Sequence, residues 1–321
     1  SAYAEGQKPG DELSRDQIER RMAIIAPHFN WIRSFSVTAG NELIPSVAKS
    51  RGLKTLVGAW LGTDPKKNRQ EMDSLIALAH EGHVDVAAVG NEVLYRGDLT
   101  EVQLLDFMAE ARERLPTEVP MGYVDAYYEF EDRPAVTSAC DVLLSNCYPF
   151  WEGCAAEYSL LYMKDMFREA SKAAKGKKVI ITETGWPSDG SDLWGAHPSY
   201  ANYLKYFINT QLWSKNENID IFYFSSFDES WKIDSEGDVG AYDGAQCYVV
   251  DVVGQDEVID EKQLIDLRTL MKMISDKERQ LLSRALQLLT WQKQHQYCGQ
   301  CGASTQTHQQ EQALHCNTCK L

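Results

Sequence analysis

Over residues 11–230 the sequence alternates short apolar runs with longer stretches that are apolar along one helical face, and the pattern repeats about every 30 residues. The apolar runs are continuous, as in strands buried on both faces of a parallel sheet covered by helices. Seven strand–helix repeats can be counted, the last without an obvious helix, and Ser1-Ala2-Tyr3 fits the end of an eighth strand. The pattern therefore predicts an α/β fold, a (β/α)8 TIM barrel with a truncated first strand. A doubly wound open sheet would show the same alternation, but no glycine-rich phosphate loop supports it.

The regular strand–helix repeat of the sequence ends at about residue 242. Upstream, the predicted strands are 31–37, 55–61, 84–92, 121–127, 142–147, 179–183 and 219–227, and the predicted helices are 16–28, 41–51, 66–81, 100–115, 157–174 and 198–215. Downstream, one short strand and two helices are predicted between 246 and 295. We therefore predict three parts: a barrel at 1–242, a small α+β segment at 243–296 and a four-cysteine ribbon at 297–321.

The charge of the chain limits its partners. The net charge is −15 and the pI about 4.9, whereas nucleic acids and anionic membranes bind positive surfaces. No run of eighteen apolar residues occurs, so the sequence predicts no membrane span. An uncharged substrate is the natural expectation, and we predict no nucleic-acid or membrane partner.

Two glutamates stand at the C-terminal ends of predicted strands. Glu92 ends the run that begins at Val84, and Glu183 ends the run that begins at Lys178. This end of a barrel is where active sites are built. The two glutamates lie three repeats apart, so we place them on the fourth and seventh strands, facing each other across the barrel mouth. Such a pair suggests glycoside hydrolysis, with one acid/base and one nucleophile or base; the alternative is that either residue is a salt-bridge partner on a loop.

Three segments in order resemble glycoside hydrolase family 17, and the likeness is closer to bacterial than to plant members. The segments are Gly90-Asn91-Glu92-Val93, Ile181-Thr182-Glu183-Thr184-Gly185-Trp186-Pro187-Ser188 and Phe227-Asp228-Glu229-Ser230-Trp231-Lys232. The likeness runs from Tyr3 to about Tyr242. The family comprises retaining β-1,3-glucanases and related transglucosylases, so the resemblance implies a β-glucan oligosaccharide or polysaccharide as substrate and no cofactor for catalysis.

The resemblance also implies roles for individual residues. Glu92 would be the acid/base, Glu183 the nucleophile, and Asn91 would hydrogen-bond the 2-hydroxyl of the sugar. The nucleophile must stay ionised, and Arg33, inside a predicted strand, is the candidate cation for it; a surface ion pair is the alternative reading of Arg33. Glu229 and Lys232 match the last motif and are expected to bind sugar hydroxyls or to support Glu183, with a structural ion pair as the alternative.

Aromatic residues cluster at the same predicted strand ends and are expected to line a sugar cleft, because flat rings stack on pyranose faces. Core packing is the alternative for each single ring. The candidates are Trp60, Tyr123, Tyr148, Trp151, Trp186 and Trp231.

Eight cysteines fall into two groups. The four in or near apolar segments, at 140, 147, 154 and 247, are predicted to be buried free thiols. The other four form two C-x2-C pairs separated by fourteen residues, Cys298 with Cys301 and Cys316 with Cys319. This spacing predicts a structural, tetrahedral Zn2+ site; two disulfides in an oxidising compartment are the alternative. A reduced four-cysteine site favours the cytoplasm, whereas removal of an upstream leader would place the protein outside the cell or in the periplasm.

The segment 286–305 resembles the middle of bacterial Nudix-class NADH pyrophosphatases, and this likeness extends back to about residue 243. No Nudix box occurs, so the resemblance implies no pyrophosphatase activity. Three functions therefore stay open: a retaining β-1,3-glucan hydrolase, a transglucosylase on the same site, or a catalytically weak fusion whose zinc ribbon mediates contacts with a partner or in a homodimer.

Overall fold

The computed structural model describes residues 2–4, 6–227, 230–232, 301, 303–307 and 314–319. The chain divides into two compact units, 1–244 and 245–321. The predicted strand and helices between 246 and 295 lie outside the described residues, and the three-part division stays a prediction. No helix in the part of the chain that the structure describes is long and apolar enough to cross a membrane.

The first unit is built on one parallel sheet whose seven strands follow one another in sequence order. The strands are β1 (Trp31–Ser34), β2 (Lys54–Ala59), β3 (Val86–Asn91), β4 (Met121–Ala126), β5 (Leu143–Asn146), β6 (Val179–Thr184) and β7 (Ile221–Tyr223). The helices are α1 (Arg15–Ile25), α2 (Leu43–Ser50), α3 (Pro65–His80), α4 (Glu101–Arg114), α5 (Pro134–Ala139), α6 (Ser159–Ala174) and α7 (Tyr200–Glu217). This nearly closed sheet, with helices between its strands, confirms the predicted TIM barrel.

Ala2 and Tyr3, which the sequence assigns with Ser1 to the end of a first strand, are not part of a strand in this structure. They are nevertheless well packed. Ala2 and Tyr3 are buried in a cluster with residues of α1 and α2, and the ring of Tyr3 lies edge-on to Trp231 with 6.4 Å between ring centroids. The N-terminal segment is therefore an integral part of the first unit.

Local sequence signals explain where the helices begin. Ser14 and Ser199 cap α1 and α7 by accepting a backbone N–H in the first turn, and Asp64 caps α3 just before Pro65. Thr100 forms a capping box with Gln103 at the start of α4. These caps fix the points at which the chain leaves the loops above the strand ends.

Strands β2 to β6 bury both faces, as their continuous apolar runs predict, whereas β1 and β7 at the two ends of the sheet are only partly buried. One cluster fills the inside of the sheet with side chains from β2 to β6, among them Leu56, Val124 and Ile180. A second, larger cluster lies between the sheet and the helices, with Val57 and Tyr123 facing outward toward them. Successive residues on a strand therefore point alternately inward and outward.

The sheet register shifts at the two strand ends that carry the glutamates. Between β3 and β4 the shift lies between Ala88 and Asn91, and between β5 and β6 it lies at Ser145 and Asn146. Such irregularities re-aim side chains and are common beside active sites. Here they break the strict alternation just where Glu92 follows β3 and where Glu183 lies near the end of β6.

Candidate active site

Asn146, at the end of β5, joins the two glutamates. Its Nδ2 group donates to Glu92 Oε1 at 2.7 Å and to Glu183 Oε1 at 3.1 Å. Because both oxygens contact one nitrogen, they lie within about 6 Å of each other, short of the roughly 6.5–9.5 Å typical of inverting glycosidases. Thr182 Oγ1 donates to Asn146 Oδ1 at 2.8 Å, which fixes the amide so that its nitrogen faces the carboxylates.

Glu183 is surrounded by donors. Arg33 Nη1 lies 2.7 Å from Glu183 Oε1, and Tyr148 Oη donates to Oε2 at 2.9 Å. The side chains of Arg33 and Glu183 are only 5% and 10% exposed, so this ion pair is shielded from water. A buried cation and several donors favour the charged form of a carboxyl group. The arrangement suits a group that works as an ionised carboxylate.

Arg33 also organises the neighbouring strand ends. Its Nη1 donates to Thr182 O at 2.9 Å, and its Nη2 donates to Asn91 Oδ1 at 2.5 Å. The rigid fork of a guanidinium can hold such separate acceptors at once, which a lysine ammonium does less well. One buried side chain on β1 thus ties together the ends of β3 and β6.

Glu92 has different surroundings. It sits in a turn with a φ of +51°, two residues after Gly90 at +84°. Burial, followed by the negative charge of Glu183, raises the pKa of Glu92 to about 7 from 4.5, against the opposing hydrogen bond from Asn146. Glu92 is therefore suited to hold a proton near neutral pH, as a general acid must.

The predicted aromatic residues fall into two groups. Trp60 and Trp151 are 41% exposed, and Tyr148 contacts Glu183. Tyr123 is fully buried in the cluster between the sheet and the helices, and Trp186 is buried with Phe150 and Tyr206. The positions of Tyr123 and Trp186 do not fit the sugar contact that the sequence suggests, because neither ring presents a face to solvent.

The structure describes only part of the third family 17 segment, residues 227–232. Glu229 lies outside the described residues. Trp231 packs against the apolar cluster that contains Tyr3. Lys232 is buried, with its Nζ 3.6 Å from the centroid of the Phe224 ring. The expected contacts of these three residues with sugar hydroxyls stay predictions.

Sequence reasoning gave no role to Asn146 or Asp125, and it did not link Asp125 with Tyr123, whose hydroxyl donates a hydrogen bond to it. Asn146 follows the apolar run of β5 directly, which is the same signal that identified the glutamates. Asp125 and Tyr123 are two residues apart on β4 and so share its outer face. A buried aspartate inside an apolar strand is the signal that would have found the pair.

The second unit contains a group of thiols. The sulfur atoms of Cys301, Cys316 and Cys319 lie within 4.8 Å of one another, and those of Cys301 and Cys316 are 3.6 Å apart. Thiolates bound to one tetrahedral zinc at about 2.3 Å would be roughly 3.8 Å apart, so this spacing suits a shared metal ion. A short antiparallel pair, β8 (Gln306–Thr307) and β9 (Leu314–His315), lies between the cysteine positions in the sequence. Cys298 lies outside the described residues.

The three cysteines of the first unit are free thiols. Cys140 and Cys147 are buried, and Cys154 is half-buried. Cys140 and Cys147 agree with the predicted buried free thiols, whereas Cys154 is free but only half-buried; Cys247 lies outside the described residues.

Two family models match the chain. The BtgE/BtgC glycoside hydrolase domain matches residues 1–244. The NADH pyrophosphatase-like rudimentary NUDIX domain matches residues 207–291, so the two matches overlap. The second match confirms the predicted likeness of the tail and begins upstream of the expected start near residue 243.

Two relatives of known name support the first match. A glucan 1,3-beta-glucosidase of Arthroderma benhamiae is 31% identical over 256 residues, covering 74% of this chain and 82% of the relative. A glucan 1,3-beta-glucosidase of Schizosaccharomyces pombe is 29% identical and covers 69% and 74%. Both sources are fungi, whereas the sequence motifs suggested a bacterial likeness.

A solved structure agrees with these relatives. The glycoside hydrolase family 17 beta-1,3-glucanosyltransferase of Rhizomucor miehei is 29% identical with a TM-score of 0.67, and the match covers 73% of this chain and 90% of that one. The resemblance drawn from the three motifs is thus confirmed. With a family model spanning residues 1–244 and a relative covered over most of its length, the chain belongs to the BtgE/BtgC glycoside hydrolase family.

Proposed function

We propose that the first unit is a retaining glycosidase of β-1,3-glucan in which Glu183 is the nucleophile and Glu92 the general acid/base. The observation that carries the proposal is the contrast between two carboxyl groups bridged by Asn146. Glu183 is ion-paired with buried Arg33, whereas burial and a neighbouring charge raise the pKa of Glu92 to about 7. A carboxyl group ion-paired with a buried cation fits the nucleophile, and a carboxyl group with a raised pKa fits the general acid.

The reaction follows in two steps. In the first, a carboxylate oxygen of Glu183 forms a bond to the anomeric carbon as the glycosidic C–O bond breaks, and Glu92 gives its proton to the leaving oxygen. In the second, Glu92, now ionised, takes a proton from water while the water oxygen displaces Glu183. Both partners return to their starting protonation states, and the configuration at the anomeric carbon is retained.

The substrate class comes from the relatives, which act on glucan 1,3-β-linkages by their names. In this chain Arg33 holds Asn91 Oδ1, which fixes the orientation of the Asn91 amide beside the two carboxylates. We infer that Asn91 donates to the 2-hydroxyl, where a hydrogen bond strengthens in the transition state. Trp60 and Trp151 are exposed enough to stack on sugar rings.

The decisive experiment traps and locates the covalent intermediate. A 2-deoxy-2-fluoro-β-glucosyl donor with a good leaving group should add one fluoroglucosyl unit to the protein, and peptide mass spectrometry should find it on Glu183. Early products from laminari-oligosaccharides should be β-anomers by NMR. Early α-anomers, or a label on another carboxylate, would contradict the assignment.

Transfer to a second glucan chain is a second candidate, because the solved relative is named a glucanosyltransferase. In that case a sugar hydroxyl replaces water in the second step. At high concentrations of laminari-oligosaccharide, products longer than the substrate would identify transfer, whereas only shorter products would identify hydrolysis.

We further propose that the thiols of Cys301, Cys316 and Cys319, with Cys298, hold one structural Zn2+. The sulfur spacing supports this, as does the Cys319 N–H, which points at Cys316 Sγ from 3.5 Å, since second-shell donors orient metal ligands. Metal analysis should give about one zinc per chain, and Cys316→Ser should lose it. Dimerisation through the C-terminal segment and the absence of nucleic-acid or membrane partners stay predictions.

A further inference from the structure

The end of β4 holds the turn that carries Glu92. Glu92 N–H donates to Val124 O at 2.7 Å. The next two acceptors on β4 are side chains: Tyr123 Oη takes the N–H of Leu94 at 3.0 Å, and Asp125 Oδ2 takes the N–H of Tyr95 at 3.3 Å. Three successive residues of one strand thus bind three N–H groups of the turn 92–95.

This turn depends on such anchoring because its backbone is strained. Glu92 is not a glycine, yet it has a φ of +51° in the left-handed region. Such conformations cost about 1–3 kcal/mol and persist only where the surroundings hold them. The carboxyl group of Glu92 therefore reaches Asn146 only while the turn keeps its shape.

The two side-chain acceptors also bind each other. Tyr123 Oη donates to Asp125 Oδ2, and Asp125 Oδ1 accepts the N–H of Ala126 at 2.8 Å. Both residues are fully buried, and no lysine or arginine bonds to Asp125 among the described residues. A buried carboxylate without a cation costs free energy, so a purely structural position would be filled more cheaply by an apolar side chain.

We propose that Tyr123 and Asp125 are positioning residues for the general acid: together they hold the turn 92–95 so that the Glu92 carboxyl stays within reach of the leaving oxygen. The inference rests on the proposed function, since it needs Glu92 to be the acid. It gives Tyr123 a role in place of the sugar contact suggested by the sequence. Neither residue touches the substrate, and both act through the placement of Glu92.

Acid catalysis can be isolated by the choice of leaving group. A sugar leaving group needs a proton from Glu92, whereas a phenolate of an acidic phenol leaves without one. For both substrates kcat/KM reports the first step alone. The ratio of kcat/KM for laminaritriose to kcat/KM for an aryl β-laminarioside therefore measures how well the acid is placed.

The experiment compares three variants with the wild type. Glu92→Ala is the reference and should lose laminaritriose cleavage by about 10²–10⁴-fold while keeping most activity on the aryl substrate. Tyr123→Phe and Asp125→Asn should lower laminaritriose cleavage by about 10–100-fold, since small misplacements cost this much, and change aryl cleavage less than about threefold. The two single variants also back each other up if one fails to fold.

Thr55→Val is the matched control. Thr55 is also fully buried, and its hydroxyl donates to His83 O at 2.6 Å at the opposite end of the strands. This variant should leave the ratio unchanged whatever it does to stability. Equal loss on both substrates in the folded Tyr123→Phe or Asp125→Asn protein would overturn the inference. Equal loss in Glu92→Ala would instead overturn the assignment of the acid.

Discussion

The ends of β3 and β6 carry the same residue type in opposite surroundings. Glu183 on β6 accepts hydrogen bonds from Arg33, Tyr148 and Asn146. Glu92, just past β3, accepts one from Asn146 and lies near two other carboxyl groups, those of Glu183 and Asp125. The difference comes from the neighbouring strands, because β1 contributes the cation to one site and β4 contributes a buried aspartate beside the other. The fold thus places two residues of the same type in surroundings that suit an anion at Glu183 and an acid at Glu92.

The largest expected loss of activity follows substitution of Glu183. Glu183→Gln keeps the shape of the side chain but removes the nucleophilic charge, so we expect kcat for laminari-oligosaccharides to fall by at least about 10⁴-fold. The aryl substrate should be lost as well, because the first step needs the nucleophile whatever the leaving group. Steady-state kinetics on both substrates, with circular dichroism to show folding, checks this. Activity within tenfold of wild type would reject Glu183 as nucleophile.

Removing the Arg33 cation should leave Glu183, like Glu92, as a carboxyl group without an ion-pair partner among the described residues. Arg33→Met leaves a buried carboxylate without its partner, so the free energy of unfolding near pH 7 should fall by about 3–5 kcal/mol. Urea denaturation measures this, and adding Glu183→Gln to Arg33→Met should restore part of the loss.

Lys49→Met is the matched control for Arg33→Met. Lys49 pairs with Asp85 at 2.6 Å, but the two side chains are 27% and 25% exposed. Its loss should therefore cost less than that of the buried pair, nearer the roughly 0–1 kcal/mol of solvent-exposed pairs. An equal effect of the two substitutions would show that burial of the Arg33–Glu183 pair does not matter.

The sequence predicted which residues end the strands, but not which side chains from different strands contact one another. Continuous apolar runs identify buried parallel strands, and a polar residue after such a run identifies the catalytic edge. The same continuity hides which face each residue occupies, which is why Tyr123 was assigned to the cleft although it faces the helices. The register shift at Asn146 depends on how β5 and β6 pair. The hydrogen bonds from Asn146 to both glutamates could therefore not be derived from the sequence of either strand alone.

Glu92 should oppose folding when it is ionised. Its pKa is raised from 4.5 to about 7 by burial and by Glu183, so between these values the folded protein binds more protons than the unfolded one. Stability from this group is therefore lost as the pH rises through this range, by about 3 kcal/mol in total. Glu92→Gln cannot ionise, so its stability relative to wild type should rise by about that amount between about pH 4.5 and about pH 8.

Glu110→Gln gives the control of opposite sign. Burial tends to raise the pKa of Glu110, but the contacts with Arg69 and Arg114 outweigh it and lower the pKa. Stability from Glu110 is thus gained as the pH rises toward and through about 4.5, so Glu110→Gln should become less stable relative to wild type in that acidic range and change little above it. Urea denaturation at several pH values measures both variants, and parallel curves for Glu92→Gln and wild type would contradict the raised pKa.

The smallest effect is on the rate above neutral pH. Glu92 must be protonated to donate to the leaving oxygen, and its pKa is set by burial and by Glu183 on β6, Asp125 on β4, Asn146 on β5 and Arg33 on β1. With a pKa of about 7, kcat/KM for laminaritriose should fall about tenfold per pH unit above about pH 7. The aryl substrate needs no acid, so its kcat/KM should stay level over the same range. A fall of equal slope for both substrates would assign the titration to another group and remove the contrast between the two strand ends.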